Sequence, residues 1–229
     1  MNTEVTKIKE IFASTQGEGP YVGYKQLFVR FCGCNLSCDF CDTNFGADNS
    51  VVYTPTTLRD YIETNFNLAE LHSISYTGGE PLLNVEFLKR FLPVVDKLAY
   101  LETNATLASC LQEVLAQIDI ISADIKLPSA TRVDGTFEKH DEFFGVARSN
   151  SDVELFAKVV FDEKITDDEI NLTQKLAKKY DIPLILQPKT NIDGGLPSIG
   201  FIENVFDKFL KGYQNVRLIP QVHKFLDIR

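Results

Sequence analysis

Residues 32 to 43 read CGCNLSCDFCDT, four cysteines within ten positions followed by an aspartate and a threonine. Three chemistries are open to such a run: disulfides, a zinc site, or thiolate ligation of a redox-active cluster. Structural zinc sites usually draw two cysteine pairs from separate segments, and four ligands this close together would be cramped. Cys34, Cys38 and Cys41 have the spacing C-x3-C-x2-C, and a short loop so spaced can curl three sulfurs onto one corner of a cubane. Three thiolates on four irons leave one iron open for a ligand, which suits catalysis better than simple electron transfer. Cys32 and Cys110 read as small buried hydrophobes. A second polar element, Thr77-Gly-Gly-Glu-Pro81, has paired glycines that let backbone approach a neighbour closely, and a Glu80 able to accept from an ammonium group. It also reads as a tight turn with Pro81 opening a helix.

These residues need elements to hold them. Short apolar, β-branched runs predict strands at Gln26–Phe31, Ser73–Thr77, Ala99–Thr103, Asp119–Ile125, Glu154–Phe161, Leu184–Gln187 and Val216–Ile219. Several are almost continuously apolar, as parallel strands covered on both faces are. Between them lie helical patterns: Asn84 to Lys97, where Pro93 threatens a kink, a segment opened by the capping box Thr166-x-x-Glu169, and Ile199 to Lys211 with Gly212 as its stop. Alternation of strand and helix implies right-handed βαβ units. The expected fold is α/β, an incomplete (β/α) barrel with a parallel sheet of about six strands, forming one domain over residues 1–229. In such sheets ligands sit at the carboxyl ends of the strands, just where the cysteines and the glycine pair fall.

The bulk properties narrow the function. A formal net charge of −9 argues against a nucleic-acid surface, which needs a basic footprint. There is no apolar run long enough for a membrane span, and the start MNTEVTKIKE lacks a signal-peptide core. A cytoplasmic setting is expected, where clustered thiols bind metal or do chemistry rather than form disulfides.

The cysteine spacing, with the aromatic Phe40 before the last ligand, resembles the radical S-adenosylmethionine (SAM) superfamily, and Thr77–Pro81 matches that superfamily's second motif. The wider stretch STQGEGPYVGYKQLFVRFCGCNLSCDFCDTNF, with ETN at 102–104, DIKLPS at 124–129, LQP at 186–188 and PQVHKFL at 220–226, resembles the 7-carboxy-7-deazaguanine synthase family over nearly the whole chain. The resemblance implies a Mg²⁺-dependent radical ring contraction of 6-carboxy-5,6,7,8-tetrahydropterin to 7-carboxy-7-deazaguanine with loss of ammonia. It implies a four-iron (4Fe–4S) cluster, SAM and Mg²⁺ as cofactors, a reductant such as flavodoxin or ferredoxin, and a homodimer. Carried over residue by residue, Cys34, Cys38 and Cys41 would hold the cluster and Thr43 the Mg²⁺. Phe40, Asp42, Gly79, Glu80, Asp124, Lys126 and Gln187 would face SAM. Thr15, Gln16, Gly17, Arg30 and Thr77 would meet the pterin. Glu102 and Asn104 would line the cavity, and His223 matches the family's C-terminal His-Lys, although a lone histidine is more often structural than catalytic. Thr15 stands where the family usually has leucine, and Asp124-Ile-Lys126 where it often has Ser-Pro-Lys. The chain ends in Arg229 rather than the proline whose carboxylate reaches substrate in some relatives. On the residues alone Arg30 is equally a paired strand charge, and Asp42 and Thr43 equally helix caps. The alternatives to set against this reading are a glycyl-radical-enzyme activase and a non-catalytic metal-binding module.

Overall fold

The computed structural model describes residues 5–38, 41, 46–191 and 194–228. One nine-stranded sheet organises them, in the order β3-β1-β2-β4-β5-β6-β7-β8-β9. Its strands are β1 (Thr6–Thr15), β2 (Lys25–Phe31), β3 (Val51–Tyr53), β4 (Ser73–Gly78), β5 (Ala99–Thr103), β6 (Ile120–Asp124), β7 (Glu154–Phe161), β8 (Leu184–Pro188) and β9 (Val216–Leu218). From β2 through β4 to β9 every pairing is parallel, whereas β1 runs antiparallel to both β2 and β3. The sheet curls as an open barrel with β3 and β9 at its edges.

The seven expected strands form within a residue or two of their expected ends. The sheet is nevertheless mixed, and its parallel part has seven strands rather than about six. β1 escapes pattern reading because its residues are mostly half-exposed and Lys7, Lys9 and Glu10 interrupt the apolar set. β3, only three residues long and exposed at Val51 and Val52, is held by pairing with Thr6–Ile8, a contact no local pattern encodes.

Helices cover the outer face: α1 (Pro55–Asn65), α2 (Val85–Phe91), α3 (Ala108–Val114), α4 (Pro128–Thr131), α5 (Thr136–Ala147), α6 (Asp167–Tyr180) and α7 (Ile199–Gly212), whereas the short α8 (Val222–Leu226) lies against the β1–β2 loop, Val222 N donating to Gly17 O (2.9 Å). The main core lies between sheet and helices, with Phe31, Phe87, Phe91, Phe143, Phe144 and Phe209 fully buried. Each such ring contributes about 2 kcal/mol through its burial. The Asn84–Lys97 pattern does not make one helix. α2 ends at Phe91 and a 3₁₀ turn, Leu92–Val94, follows, because Pro93 lacks the N–H a continuing helix needs. The capping box forms as read: Thr166 Oγ1 accepts from Glu169 N (3.2 Å) while Glu169 Oε2 accepts from Thr166 N (2.8 Å). Gly212 is not a left-handed stop. It ends α7 proper, and the extended Tyr213 terminates the helix. A Cβ at Gly212 would run into the Gln174 amide, whose Nε2 donates to the Lys208 and Phe209 carbonyls (2.9 and 3.0 Å) and so caps α7 from α6.

Inside the curl, Tyr100, Ile120, Phe156 and Ile185 form a small apolar plug at the amino-terminal ends of the strands. Tyr21, from the loop joining β1 to β2, packs on it edge-to-face with Tyr100 (5.4 Å between centroids). Gly19 has φ +66° and abuts the Phe156 ring, so that loop can enter the barrel only with glycine there. The barrel is thus closed at one end and open at the carboxyl ends of its strands.

Candidate active site

The open end holds a cavity of about 400 Å³. Each inward-facing strand contributes its last polar residues: Arg30 from β2, Thr77 and Gly78 from β4, Glu102 and Thr103 from β5, Ser122 and Asp124 from β6, Lys158 from β7 and Gln187 from β8. Period-two alternation explains this selection, since the intervening residues (Val29, Tyr76, Leu101, Ala123, Val159, Leu186) face the helical core. The β1–β2 loop (Thr15 to Glu18) forms one side, and Gln221, His223 and Lys224 around α8 form another. Gln16 and Gly17 belong to the hairpin connection between β1 and β2.

Cys34, Cys38 and Cys41 line one wall. None of the five cysteines is in a disulfide; Cys32 turns its Sγ to the Gly46 carbonyl (3.7 Å), and Cys110 sits against the core on α3. Burial pushes the Cys34 and Cys38 thiols up. Among the described residues no three His, Cys, Asp or Glu side chains stand ready-made around a single metal ion. The fit to a cluster rests instead on three thiols sharing one wall of one cavity. Cys34 Sγ accepts from Leu36 N (3.4 Å) and Asn104 Nδ2 (3.8 Å), and Asn104 also donates to Asn35 Oδ1 (2.8 Å), tying the β5 end to the cysteine loop.

The glycine pair has a structural cause. Gly79 N donates to Phe31 O (3.1 Å) and Glu80 N to Gly33 O (2.8 Å), continuing the β2–β4 ladder into the cysteine loop. A Cβ at Gly79 would fall on the Gly33 carbonyl, and Gly78 has φ +116°. Gly79 lines the cavity, but what its missing side chain admits is the cysteine loop. Glu80 is 0 % exposed and does not line the cavity. Its carboxylate accepts from Leu82 N (3.1 Å), Thr103 Oγ1 (2.9 Å) and Asn104 N (2.8 Å). Burial lifts its pKa to about 7 against those three donors.

The opposite wall is charged and paired. Arg30 Nε lies 2.9 Å from Glu10 Oε1, an ion pair without hydrogen-bond alignment, and its guanidinium stands over Phe12 (5.4 Å). Phe12 and Phe28 stack at 5.2 Å with an 11° interplanar angle, an aromatic platform on the cavity wall. Glu18 pairs with Lys158 and accepts from Gln221 Nε2 (2.8 Å) and Gln187 Nε2 (3.3 Å). Burial alone would raise its carboxyl, but Lys158 and Gln221 outweigh that and hold it down at about 2. Lys126 Nζ donates to Asp124 Oδ2 (2.7 Å). Asp124 Oδ1 and Gln187 Oε1 are buried acceptors without a protein partner, and both line the cavity. A ligand rich in hydroxyl and amine donors would satisfy them.

Beneath this wall, His140 of α5 is 0 % exposed. Its Nε2 accepts from Lys126 N (3.1 Å) and its Nδ1 donates to Ala105 O (2.9 Å), joining the loops after β5 and β6. Burial drives its pKa down to about 4, so the imidazole is neutral.

The structure thus gathers Thr15, Gln16, Gly17, Arg30, Cys34, Cys38, Cys41, Thr77, Gly79, Glu102, Asn104, Asp124, Lys126, Gln187 and His223 around one cavity. Phe40, Asp42, Thr43 and Arg229 lie outside the described residues. Sequence reasoning passed over Glu18, Lys158, Phe12, Phe28 and His140. Inward alternation on β7 could have marked Lys158, a charge inside an apolar strand, and Glu18 sits within the QGEG segment. Nothing local marks His140, whose partners are 14 and 35 residues away.

The profile of the Radical SAM superfamily matches residues 28–160. Over 99 % of this chain and 99 % of its own length, the 7-carboxy-7-deazaguanine synthase of Geobacter sulfurreducens is 34 % identical. The chain belongs to the 7-carboxy-7-deazaguanine synthase family. The synthase of Archaeoglobus fulgidus is likewise 34 % identical, over 96 % of this chain and 97 % of its own. QueE from Escherichia coli shares the fold, with a TM-score of 0.62 at 17 % identity over 96 % of this chain and 95 % of that one. Streptococcus suis SuiB shares it more distantly (TM-score 0.55, 16 % identity, 85 % of this chain and 48 % of that one). The family is one of radical SAM enzymes in deazapurine biosynthesis, and the incomplete α/β barrel is its fold. Membership brings a 4Fe–4S cluster and SAM as cofactors. Three thiols lining the same cavity as the Asp124 Oδ1 and Gln187 Oε1 acceptors, which have no partner among the described residues, fit that pair of groups. Among the described residues, no helix is long and apolar enough to cross a membrane.

Proposed function

We propose that this chain, acting as one domain, converts 6-carboxy-5,6,7,8-tetrahydropterin to 7-carboxy-7-deazaguanine and ammonia. The observation that carries the proposal is that the cysteine wall and the Gln16–Gly17 loop, 17 or more residues apart in sequence, open into the same cavity as Arg30, Thr77 and Glu102. When bound, the cluster and SAM supply the electron and the 5′-deoxyadenosyl radical that takes a hydrogen from the substrate. The protein's task is to bind, orient and exclude water.

Among the described residues, five cations (Arg30, Lys126, Lys158, Lys189, Lys224) and three carboxylates (Glu18, Glu102, Asp124) line the cavity, with Glu10 and Asp162 pairing Arg30 and Lys189 from behind it. Arg30 receives the pterin carboxylate, as a guanidinium fork does well. Glu102, already accepting from Gln16 Nε2 and Thr77 Oγ1, keeps lone pairs for N–H groups of the pterin edge. Asp124, Lys126 and Gln187 serve SAM, Asp124 Oδ1 and Gln187 Oε1 through their unpartnered oxygens. Cys34, Cys38 and Cys41 hold the cluster. Thr43 supplies Mg²⁺ with a hard oxygen, Mg²⁺ taking few protein ligands and completing its shell from substrate and water. The electron comes from a small reductase-type carrier such as flavodoxin or ferredoxin, and the active form is a homodimer.

The test is anaerobic. Protein reconstituted with iron and sulfide is incubated with SAM, dithionite, Mg²⁺ and the carboxytetrahydropterin, and products are separated chromatographically. Formation of 5′-deoxyadenosine and 7-carboxy-7-deazaguanine is expected; absence of the deazapurine refutes the proposal. Thr43→Ala is expected to weaken the response to Mg²⁺, and an unchanged Mg²⁺ titration refutes that assignment.

A further inference from the structure

Six side chains form one chain of hydrogen bonds down the inside of the barrel. Thr77 Oγ1 donates to Glu102 Oε2 (2.7 Å), and Gln16 Nε2 donates to Glu102 Oε1 (2.8 Å) and to Gln26 Oε1 (2.9 Å). Gln26 Nε2 donates in turn to Ser73 Oγ (2.9 Å), which meets His72 Nδ1 at 3.0 Å. Gln26 and Ser73 are register partners on β2 and β4, both 0 % exposed, and neither lines the cavity. An apolar pair of similar size would fill this space at lower desolvation cost. What the polar pair adds is direction.

An amide has a donor end and an acceptor end, and every bond in the chain agrees on which is which. Gln16 Oε1 accepts from Glu18 N (3.0 Å), leaving its Nε2 to face both Glu102 and Gln26. Turned over, the Gln16 carbonyl would confront the Glu102 carboxylate and the Gln26 carbonyl together. Gln26 resists the same reversal because its Oε1 must accept from Gln16 Nε2, while its Nε2 is anchored on the Ser73 hydroxyl. We propose that Gln26 and Ser73 are positioning residues for pterin recognition: from beneath the cavity they fix the Gln16 amide, and through it the direction in which the Glu102 carboxylate points. This inference rests on the substrate proposed above.

The test measures equilibrium binding of 6-carboxy-5,6,7,8-tetrahydropterin to the SAM-loaded, reconstituted enzyme, for wild type, Gln26→Met, Ser73→Ala, Gln16→Ala and Gln26→Met/Gln16→Ala. Loss of the neutral hydrogen bond from Gln16 Nε2 to Gln26 Oε1 predicts about fivefold weaker binding for Gln26→Met and roughly threefold for Ser73→Ala. In Gln26→Met and Ser73→Ala, which lie outside the cavity lining, the 5′-deoxyadenosine formed from SAM and dithionite without pterin is expected to stay at the wild-type level, a split that a general loss of structure would not give. In the double variant Gln26→Met adds nothing to Gln16→Ala, because it acts through that residue. Pterin binding unchanged in Gln26→Met, or losses that multiply in the double variant, overturns the inference. Should Gln26→Met fail to fold, unchanged binding in Ser73→Ala does the same. A wild type that binds no pterin refutes the substrate proposal and this inference with it, whereas a wild type that turns pterin over while the variants match it overturns this inference alone.

Discussion

His140 offers a quantitative test of how the site is held. Its neutral imidazole bridges Lys126 N and Ala105 O, so a proton on Nε2 would replace an acceptor with a donor facing an N–H. Burial is the main cause of its lowered pKa. The Ala105 carbonyl and Asp124 pull the other way, while Lys126 and Lys139 add to the depression. Between a folded value of about 4 and an unfolded value of 6.5, the unfolded chain binds more protons, so stability rises with pH. The contribution is complete above the unfolded value and is lost as pH falls from 6.5 toward 4, amounting to ~2 kcal/mol between pH 7 and pH 5. Glu80 titrates in the same window with opposite sign. Its pKa is raised from 4.5 to about 7, so its contribution is present below pH 4.5 and is lost as pH rises toward 7. The raw pH profile of the wild type therefore mixes the two. The useful quantity is the difference between wild type and His140→Leu, followed by urea unfolding of the cluster-free chain across pH 4.5–8. At pH 8 the variant, with Lys126 N–H and Ala105 C=O unsatisfied, is expected to be less stable by about 2–4 kcal/mol. That gap is expected to narrow by ~2 kcal/mol on moving to pH 5. A gap that is constant with pH would show that position 140 contributes packing alone, and the bridge argument would fail.

Gly79→Ala places a methyl group on the Gly33 carbonyl and is expected to push the Thr77–Glu80 turn off the cysteine loop. Iron content and visible absorbance after reconstitution should fall severely, and normal iron loading would contradict the contact. Lys158→Met leaves the Glu18 carboxylate buried and uncompensated, for an expected loss of about 3–5 kcal/mol in urea unfolding at neutral pH. Glu18→Gln/Lys158→Met should recover much of that; a double variant as unstable as the single one would refute the pairing energetics. Cys38→Ala should abolish reductive SAM cleavage, whereas Cys32→Ala, whose Sγ turns to the Gly46 carbonyl, should keep both iron and activity. Iron loss in Cys32→Ala would reverse that assignment.

The α/β alternation, seven of the nine strands and the α6 capping box were legible in the sequence because each depends on neighbours a few residues away. So was the chemistry of the cysteine loop, since C-x3-C-x2-C carries its spacing within eight residues. β1 and β3 were not legible: a half-exposed strand and a three-residue strand take their stability from pairing partners, and partners are a property of the folded sheet. The same limit separates the site's residue types from its connections. Arg30, Asp124, Lys126 and Gln187 announce themselves as polar residues ending apolar strands, and period-two alternation sends them inward. That Glu80 is buried and does not line the cavity, that Glu18 is held by Lys158 from a strand 140 residues on, and that His140 joins two loops were decided by the curl of the sheet. Closing the barrel brings strand ends that are distant in sequence to within hydrogen-bonding distance. Burial there makes every polar group require a partner, and only the tertiary structure determines which partner that is.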